Sequence, residues 1–398
     1  MVKDIIQSAH RPKEILAMLQ LKFGGFDIKN HKEPLDILAK KLNDEEFCYA
    51  ALNKVSRSFA IVIQQLPTEL KNPVCVFYLV LRGLDSIEDD MTFEKEQRLA
   101  MLRVFYQKLA QPDWHIVGVG DSEDYRTLLA NFDKVIRVFQ QLDQSYQTVI
   151  ADICRQMGEG MANYAEQKVV TLLDYDHYCH YVAGLVGIGL SGIFSASGLE
   201  SEQLKEEIKL SNSMGLLLQK TNITRDYYED LNLGRAFWPK EIWGKYTNEL
   251  DELMQNPSSL KSLACLNDLV TDALSYVGDC IAYLHLIKNP KVFRFCAIPQ
   301  VMAMATLAKI YNNPHVYTEV VKIRKGIAAT LMLHTNDIQS VHVVLEKFTN
   351  DILKKINSED PNYNQTKEKC HYILSLLHKH QYQSKTIANI PIEKTVLF

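Results

Sequence analysis

The run VCVFYLVLRGL (74–84) is apolar apart from Arg82, and it ends in Asp85-Ser86-Ile87-Glu88-Asp89-Asp90. A second copy of this pattern comes 141 residues later, where SMGLLLQKTNI (213–223) leads into Asp226-Tyr227-Tyr228-Glu229-Asp230. Both acidic ends read D-x-x-E-D. On a helix, positions i, i+3 and i+4 share a face, so Asp85, Glu88 and Asp89 converge, as do Asp226, Glu229 and Asp230. Carboxylates ~5–6 Å apart repel by about 3 kcal/mol in a partly buried setting. Like charges gathered at the end of an apolar helix call for a cation. An oxygen-only donor set suits Mg2+, which combines one or two carboxylates with substrate phosphate oxygens. One such cluster alone reads as a solvated helix end. Two copies, each beside an arginine (Arg82, Arg225), point to paired metal sites. The arginines suit plain ion pairing or bidentate binding of phosphate.

Outward from these clusters the chain keeps a 3.6-residue apolar period, with few alternating strand patterns. Residues 44–66 place Phe47, Leu52, Val55, Phe59 and Ile63 at helical spacing. A helix begins at Asn72-Pro73 and runs to about Asp90. Further helices are predicted at about 93–110, 124–141, 143–168, 174–198, 204–231, 261–287, 293–311, 316–333, 336–355 and 363–378. Breaks fall at Gln111-Pro112-Asp113, Asn256-Pro257, Asn289-Pro290, Asn313-Pro314 and Asp360-Pro361. None is long enough for an interdomain linker. The expected architecture is one all-α domain of about a dozen helices over 1–357, followed by a polar C-terminal extension, 358–398.

The composition narrows the function. Among 398 residues, 44 Lys and Arg against 48 Asp and Glu leave a formal charge of −4, which argues against tracking nucleic acid by charge. Gly (17) and Pro (12) are sparse, which excludes collagen-like and linker-rich chains. Eight dispersed cysteines with no C-x-x-C pair fit neither a zinc site nor a small disulfide scaffold, and suit a reducing compartment. The polar N-terminus does not read as a signal peptide. Tyr181–Leu199 carries no charge and is about long enough to span a bilayer. Its five glycines favour a buried helix lining a cavity, where something bulky approaches the backbone.

Other residues admit both a bland and a functional reading. Ser56-Arg57-Ser58-Phe59 sets a cation and two hydroxyls beside an aromatic ring. Lys322-Ile323-Arg324-Lys325-Gly326 is a basic run, either a solvated face or an anion site. His177 and His180 lack a third ligand at zinc spacing. Tyr178 and Tyr181 lead into the Gly-rich helix, where a phenol can pack or move a proton. Phe59, Phe293 and Phe295 serve as core or as π-faces for a carbocation. No dinucleotide fingerprint and no P-loop is present.

At these residues the chain resembles the squalene synthases (farnesyl-diphosphate farnesyltransferases) of the squalene/phytoene synthase family. The likeness runs from about 44 to 335. It rests, in order, on VSRSFA (55–60), FYLVLRGLDSIEDDM (77–91), YQTVIADICRQMGEGMA (146–162), YCHYVAGLVGIGLS (178–191), SMGLLLQKTNITRDYYEDL (213–231), GRAFWPKEIW (234–243), FCAIPQVMAMATLA (295–308) and VKIRKG (321–326).

The resemblance implies an all-α class I isoprenoid synthase fold with a central cavity. It implies condensation of two farnesyl diphosphates to presqualene diphosphate, then NADPH-dependent rearrangement to squalene, with Mg2+ as cofactor. Asp85, Glu88, Asp89, Asp226 and Asp230 match its metal ligands. Arg57, Arg82, Arg225, Lys322 and Arg324 match binders of diphosphate or NADPH phosphates. Ser56, Ser58, Phe59, Tyr78, Gln219 and Asn222 match substrate-binding positions. Tyr178 matches the tyrosine that removes the ring-closing proton, with Arg82 beside the leaving group. Phe295 lies in the segment of the second half-reaction.

The resemblance further implies a monomer on the cytosolic face of the endoplasmic reticulum membrane, with no nucleic-acid partner. Family members usually carry a C-terminal membrane helix, and this sequence shows none, so it is expected to be trimmed or peripheral. The loop after Trp114 has no Lys or Arg before Arg126 and is expected to make no phosphate contact. Rival readings are an enzyme that stops at presqualene diphosphate or makes dehydrosqualene or phytoene, and a non-catalytic scaffold. The scaffold predicts eroded carboxylates, whereas both sets are intact.

Overall fold

The computed structural model describes residues 33–381 except Arg57 and Glu166, together with Glu14, Ala17 and Gln20. Every regular element among them is helical, as the 3.6-residue period predicts. The described residues fall into two compact units. One draws on Asp27–Lys168 and His180–Asn212, the other on Met1–Phe26, Val169–Cys179 and Ser213–Phe398.

The first unit opens with α1 (Leu35–Lys41), α2 (Asp44–Ser56), α3 (Ser58–Gln64) and α4 (Thr68–Asp89), then α5 (Lys95–Lys108), α6 (Glu123–Ala130), α7 (Phe132–Gln140) and α8 (Gln144–Tyr164). Three acids in the first turn of α2 suit the positive end of its dipole. One of them, Asp44, takes Arg137 of α7 at 2.7 and 3.0 Å. The predicted run 124–141 is split, because Asn131 leaves helical geometry (φ −127°, ψ 29°) between α6 and α7. Helix α4 buries Val74, Cys75, Val76, Phe77, Leu79, Val80, Leu81 and Ile87, side chains that point around most of its girth. It is therefore a central helix of its unit rather than an amphipathic surface one.

The next helical run contains α9 (Leu172–Cys179), a π segment at His180–Gly184 and α10 (Leu185–Ala196). The boundary between the units falls at the start of the π segment. The run is long and apolar enough to cross a membrane by length and composition, and 44% of its most apolar window is buried. The glycines of α10 do receive bulky neighbours. A Cβ on Gly189 would lie 2.6 Å from the Phe77 ring and 2.9 Å from Ile153, so here the bulky group is the unit's own core.

The second unit takes α11 (Ile208–Arg225) from Ser213 onward, then α12 (Tyr227–Asn232), α13 (Lys240–Trp243), α14 (Leu260–Leu274), α15 (Val277–Leu286), α16 (Pro290–Ile310), α17 (Lys325–His334), α18 (Ile338–Leu353) and α19 (Tyr363–Gln381). Asn289 caps α16 through Lys291 N (2.9 Å), with Pro290 at the first helical position. Helix α16 also passes the length and composition test for a span, and 78% of its window is buried.

The predicted helix over 316–333 starts only at Lys325. Before it, Pro314–Tyr317 forms a short 3-10 turn, and Tyr317 is buried, donating to the Ser262 carbonyl at 2.6 Å. That tertiary anchor overrides the local period and leaves the basic run ahead of the helix. In the segment after 357, Cys370, Ile373 and Leu377 of α19 are buried. The Thr271 and Thr366 hydroxyls meet at 2.6 Å, and Asn267 donates to Asp360 at 2.7 Å. All eight cysteines are buried free thiols. Burial pushes the Cys370 thiol up to about 12.

Candidate active site

In the first unit the acidic motif occupies the last turn of α4. Asp85, Glu88 and Asp89 are half-buried on one face, and no basic residue shares that turn. Three acids at a helix C-terminus face the negative end of its dipole as well as one another. The next residue, Asp90, has a different task. It is 3% exposed and accepts from Thr92 N (2.9 Å), Thr92 Oγ1 (2.6 Å) and Gly120 N (2.8 Å). Burial works against its charge, but those donors outweigh it and hold the carboxyl below its ordinary value. The loop after Trp114 thus fixes the end of the motif through its backbone.

Arg82 lies one turn before Asp85 and donates to it at 2.5 Å. Its guanidinium also lies 5.8 Å from the Tyr78 ring and 5.4 Å from the Tyr125 ring. Burial disfavours its charge, but Asp85, Tyr78 and Tyr125 more than compensate and hold its pKa above the usual arginine value. Burial raises the Tyr78 phenol, with Arg82 opposing. Arg82 Nε is buried with no acceptor. A planar cation with an orphaned donor fits a phosphate oxygen.

Phe59 is 38% exposed with its ring 6.0 Å from that of Tyr78. Ser56 is buried and spends its hydroxyl on the Leu52 carbonyl at 2.7 Å. Arg57 and the side chain of Ser58 lie outside the described residues.

In the second unit the motif does not ride one continuous helix. Helix α11 ends at Arg225, Asp226 departs from ideal helical angles (φ −92°, ψ 11°), and α12 starts at Tyr227. Helix-like bonds persist across the kink, Asp226 N to Asn222 O at 2.8 Å and Asp230 N to Asp226 O at 2.9 Å. The motif therefore straddles a junction, with Glu229 and Asp230 in the first turn of α12, where acids are favoured.

Arg225 grips Asp226 with two bonds, 2.7 and 2.5 Å. Asp226 and Asp230 are half-buried, whereas Glu229 is exposed. Gln219 is half-buried and Asn222 exposed on the same helix, at i and i+3 with Asp226 at i+7.

Residues 234–239 brace this junction. Gly234 (φ +73°) ends α12 in a Schellman turn, with Arg235 N bonded to Asp230 O at 2.8 Å and Gly234 N to Leu231 O at 3.0 Å. The chain then folds back. Trp238 Nε1 donates to the Ile223 carbonyl at 3.0 Å, and its ring lies 4.5 Å from that of Tyr227. Phe237 stacks on Tyr178 at 5.1 Å with an interplanar angle of 13°. Tyr178, 9% exposed, lies in the last turn of α9 just before the π segment, a helix irregularity common at functional sites.

Phe295 is buried in α16. Lys322 is exposed, and Arg324, at the N-cap of α17, already holds an anion: Glu14 accepts from it at 2.7 and 3.3 Å.

The carboxylate donors match a hard divalent cation in chemistry. Among the described residues, however, no three His, Cys, Asp or Glu side chains are gathered as a ligand set. Asp85 and Asp226 are instead neutralised by arginine, so a metal binding there competes with Arg82 and Arg225. His180 bonds Asn212 at 2.7 Å.

Comparison with known proteins identifies the family. A family model described as squalene/phytoene synthase matches residues 52–326. This chain belongs to the squalene/phytoene synthase family. Within that family it is 46% identical to the squalene synthase of Dictyostelium discoideum over 363 residues, which is 91% of this chain and 86% of that one. It is 44% identical to the squalene synthase of Homo sapiens over 365 residues, 92% and 86% of the two chains. A solved complex of TcSQS with the ligand BPH1237 has the same all-helical fold, with a TM-score of 0.83, 42% identity and coverage of 85% of this chain and 99% of that one.

The sequence reading missed several residues of this family member. Tyr125 cups Arg82 from 43 positions away, with no local signal. Phe237 lies inside GRAFWP, and its adjacency to Tyr178 appears only in three dimensions. Lys220, in the middle of the second motif's helix, drew no reading from the sequence and is fully buried.

Proposed function

We propose that this chain condenses two farnesyl diphosphates head to head to presqualene diphosphate. It then rearranges and reduces that intermediate with NADPH to squalene, releasing two diphosphates in all. The observation that carries this reading is the pairing of a motif aspartate with an arginine in each unit, Asp85 with Arg82 and Asp226 with Arg225, in a member of this family.

Asp85, Glu88, Asp89, Asp226 and Asp230 would hold Mg2+, which supplies neutralisation of the charge that grows on a departing diphosphate. Arg82 and Arg225 offer planar, preorganised donors to the same oxygens, and Arg57 adds a further cation. Ser58, Gln219 and Asn222 offer polar contacts to the substrate. Ser56, with its hydroxyl turned to the backbone, contributes through the position of its helix end. Phe59 and Tyr78 present π-faces beside Arg82 to an allylic cation. Tyr178, packed flat on Phe237, takes the proton whose loss closes the cyclopropane. Phe295 serves the second half-reaction. Lys322 and Arg324 bind phosphate of NADPH, which supplies hydride, and the Glu14 carboxylate paired with Arg324 supports an anion-binding role.

The C30 hydrocarbon product is insoluble in water, so release to a membrane surface, the cytosolic face of the endoplasmic reticulum, fits the chemistry. The protein is expected to work as a monomer, with the catalytic domain spanning 1–357.

Incubation with farnesyl diphosphate, Mg2+ and NADPH tests the proposal. Squalene is expected with NADPH and presqualene diphosphate without it. Dehydrosqualene or phytoene as end product would reassign the reaction within the family, and farnesol alone would refute it.

A further inference from the structure

Helix α11 carries two sets of residues. Gln219, Asn222 and Asp226 form one stripe. On the buried side sits Lys220, whose side chain has no solvent exposure. Its ammonium is bound by Asp176 of α9 and by Asp272 of α14, the latter at 2.6 Å. It also lies 4.6 Å from the Tyr175 ring and 4.7 Å from the Tyr276 ring. Tyr276, at the N-cap of α15, donates to the same Asp176 oxygen at 2.9 Å. Burial opposes the charge on Lys220, but Asp272, Tyr276 and Asp176 outweigh it and keep the ammonium protonated.

A buried ion cluster is a poor way to gain stability, because well-packed apolar side chains generally do as well or better. Its best-attested use is to fix register, since an ammonium tolerates only placements that keep its carboxylates within reach. Here the register concerns the proposed chemistry. Asp176 stands two residues before Tyr178, and Lys220 stands six residues before Asp226. One ammonium therefore ties the helix of the proton-accepting tyrosine to the helix of the second acidic motif. The opposite brace is Phe237, stacked on Tyr178 in a loop that Trp238 pins to the Ile223 carbonyl of α11.

We propose that Lys220 is a positioning residue that holds the Tyr178 phenol in register with the Asp226 stripe, so that ring closure outruns capture of the cation by water. This rests on the function proposed above. In the normal step, the C–O bond of one farnesyl diphosphate breaks and diphosphate leaves with the electron pair. The double bond of the second substrate attacks the cation, and loss of a proton to Tyr178 closes the cyclopropane. With Tyr178 out of register the coupled cation keeps its proton and its new C–C bond breaks again, returning the first cation, to which water adds with loss of a proton, giving farnesol. Ionisation depends on the carboxylates and arginines and continues.

The test uses the whole chain with farnesyl diphosphate and Mg2+ but no NADPH, and compares diphosphate released with presqualene diphosphate and farnesol formed. The variants are Lys220→Met combined with Asp272→Asn, which removes both charges of the buried pair, and Asp176→Asn, which alters a side chain that is 38% exposed. Circular dichroism and a melting curve select folded protein.

A misplacement of about 1 Å costs on the order of 10²-fold in a positioned step. The farnesol share is therefore expected to rise at least tenfold in both variants, with diphosphate release changed much less. Proportional loss of diphosphate and presqualene diphosphate, or an unchanged farnesol share, would overturn the role of Lys220. Failure of the unaltered chain to release diphosphate would instead overturn the proposed function.

Discussion

The two D-x-x-E-D motifs have the same pattern but opposite local settings. The first closes α4 at the negative end of the helix dipole, with Asp85, Glu88 and Asp89 all in the last turn. The second opens α12, with Asp226 at its N-cap and Glu229 and Asp230 in the favoured first turn. Each has an arginine, but Arg82 reaches Asp85 across a helical turn from a cage of tyrosines, whereas Arg225 grips its direct neighbour with two bonds. The first thus meets the unfavourable end of its helix dipole. The second places Glu229 and Asp230 at the favourable end. Repeated spacing in a sequence therefore does not imply repeated energetics.

The largest effect is expected where both settings must serve the same chemistry. Asp89→Asn or Asp226→Asn should each lower diphosphate release on the order of 10²–10³-fold, the range for loss of one preorganised electrostatic partner. Release at the unaltered rate in either variant would show that one motif is idle. A smaller change should leave both motifs alone. Lys322→Ala or Arg324→Ala is expected to raise the KM for NADPH about tenfold, matching loss of a charge-assisted contact of ~1.4 kcal/mol. Presqualene diphosphate should then accumulate while its formation rate holds.

The brace of the second motif comes next. A Cβ on Gly234 would meet nothing within 4 Å, but φ is +73°. Gly234→Ala is thus a pure backbone penalty, about 1–2 kcal/mol, readable as a lower melting temperature. The smallest effect compares the motifs directly. Glu229→Gln should cost about 0.3–1 kcal/mol more than Glu88→Gln in cation-free melting, because the two acids face opposite dipole ends. Equal shifts would break the comparison.

Much of this was legible in the sequence. Periodicity revealed an all-helical chain, and the break read at Asn289-Pro290 is where a helix starts, three residues before the predicted 293. The D-x-x-E-D repeat singled out the acids, and the quoted segments pointed to the family. What stayed hidden depends on contacts between distant residues. The kink at Asp226 accompanies the burial of Tyr227, which packs on Trp238 and Tyr317 and donates to the Leu250 carbonyl at 2.6 Å. The late start of α17 follows from the burial of Tyr317. Lys220 gave no signal because its partners, Asp176 and Asp272, lie 44 and 52 residues away. Periodicity reports which face is apolar, and it has no term for a charge buried with its counter-ions.

The central claim is that both motifs drive two successive departures of diphosphate in one chain. It is tested most directly by counting diphosphate against C30 product after incubation with farnesyl diphosphate and Mg2+. One diphosphate per presqualene diphosphate without NADPH, and two per squalene with it, are predicted. Diphosphate released with farnesol as the sole organic product, or a ratio that ignores NADPH, would contradict it.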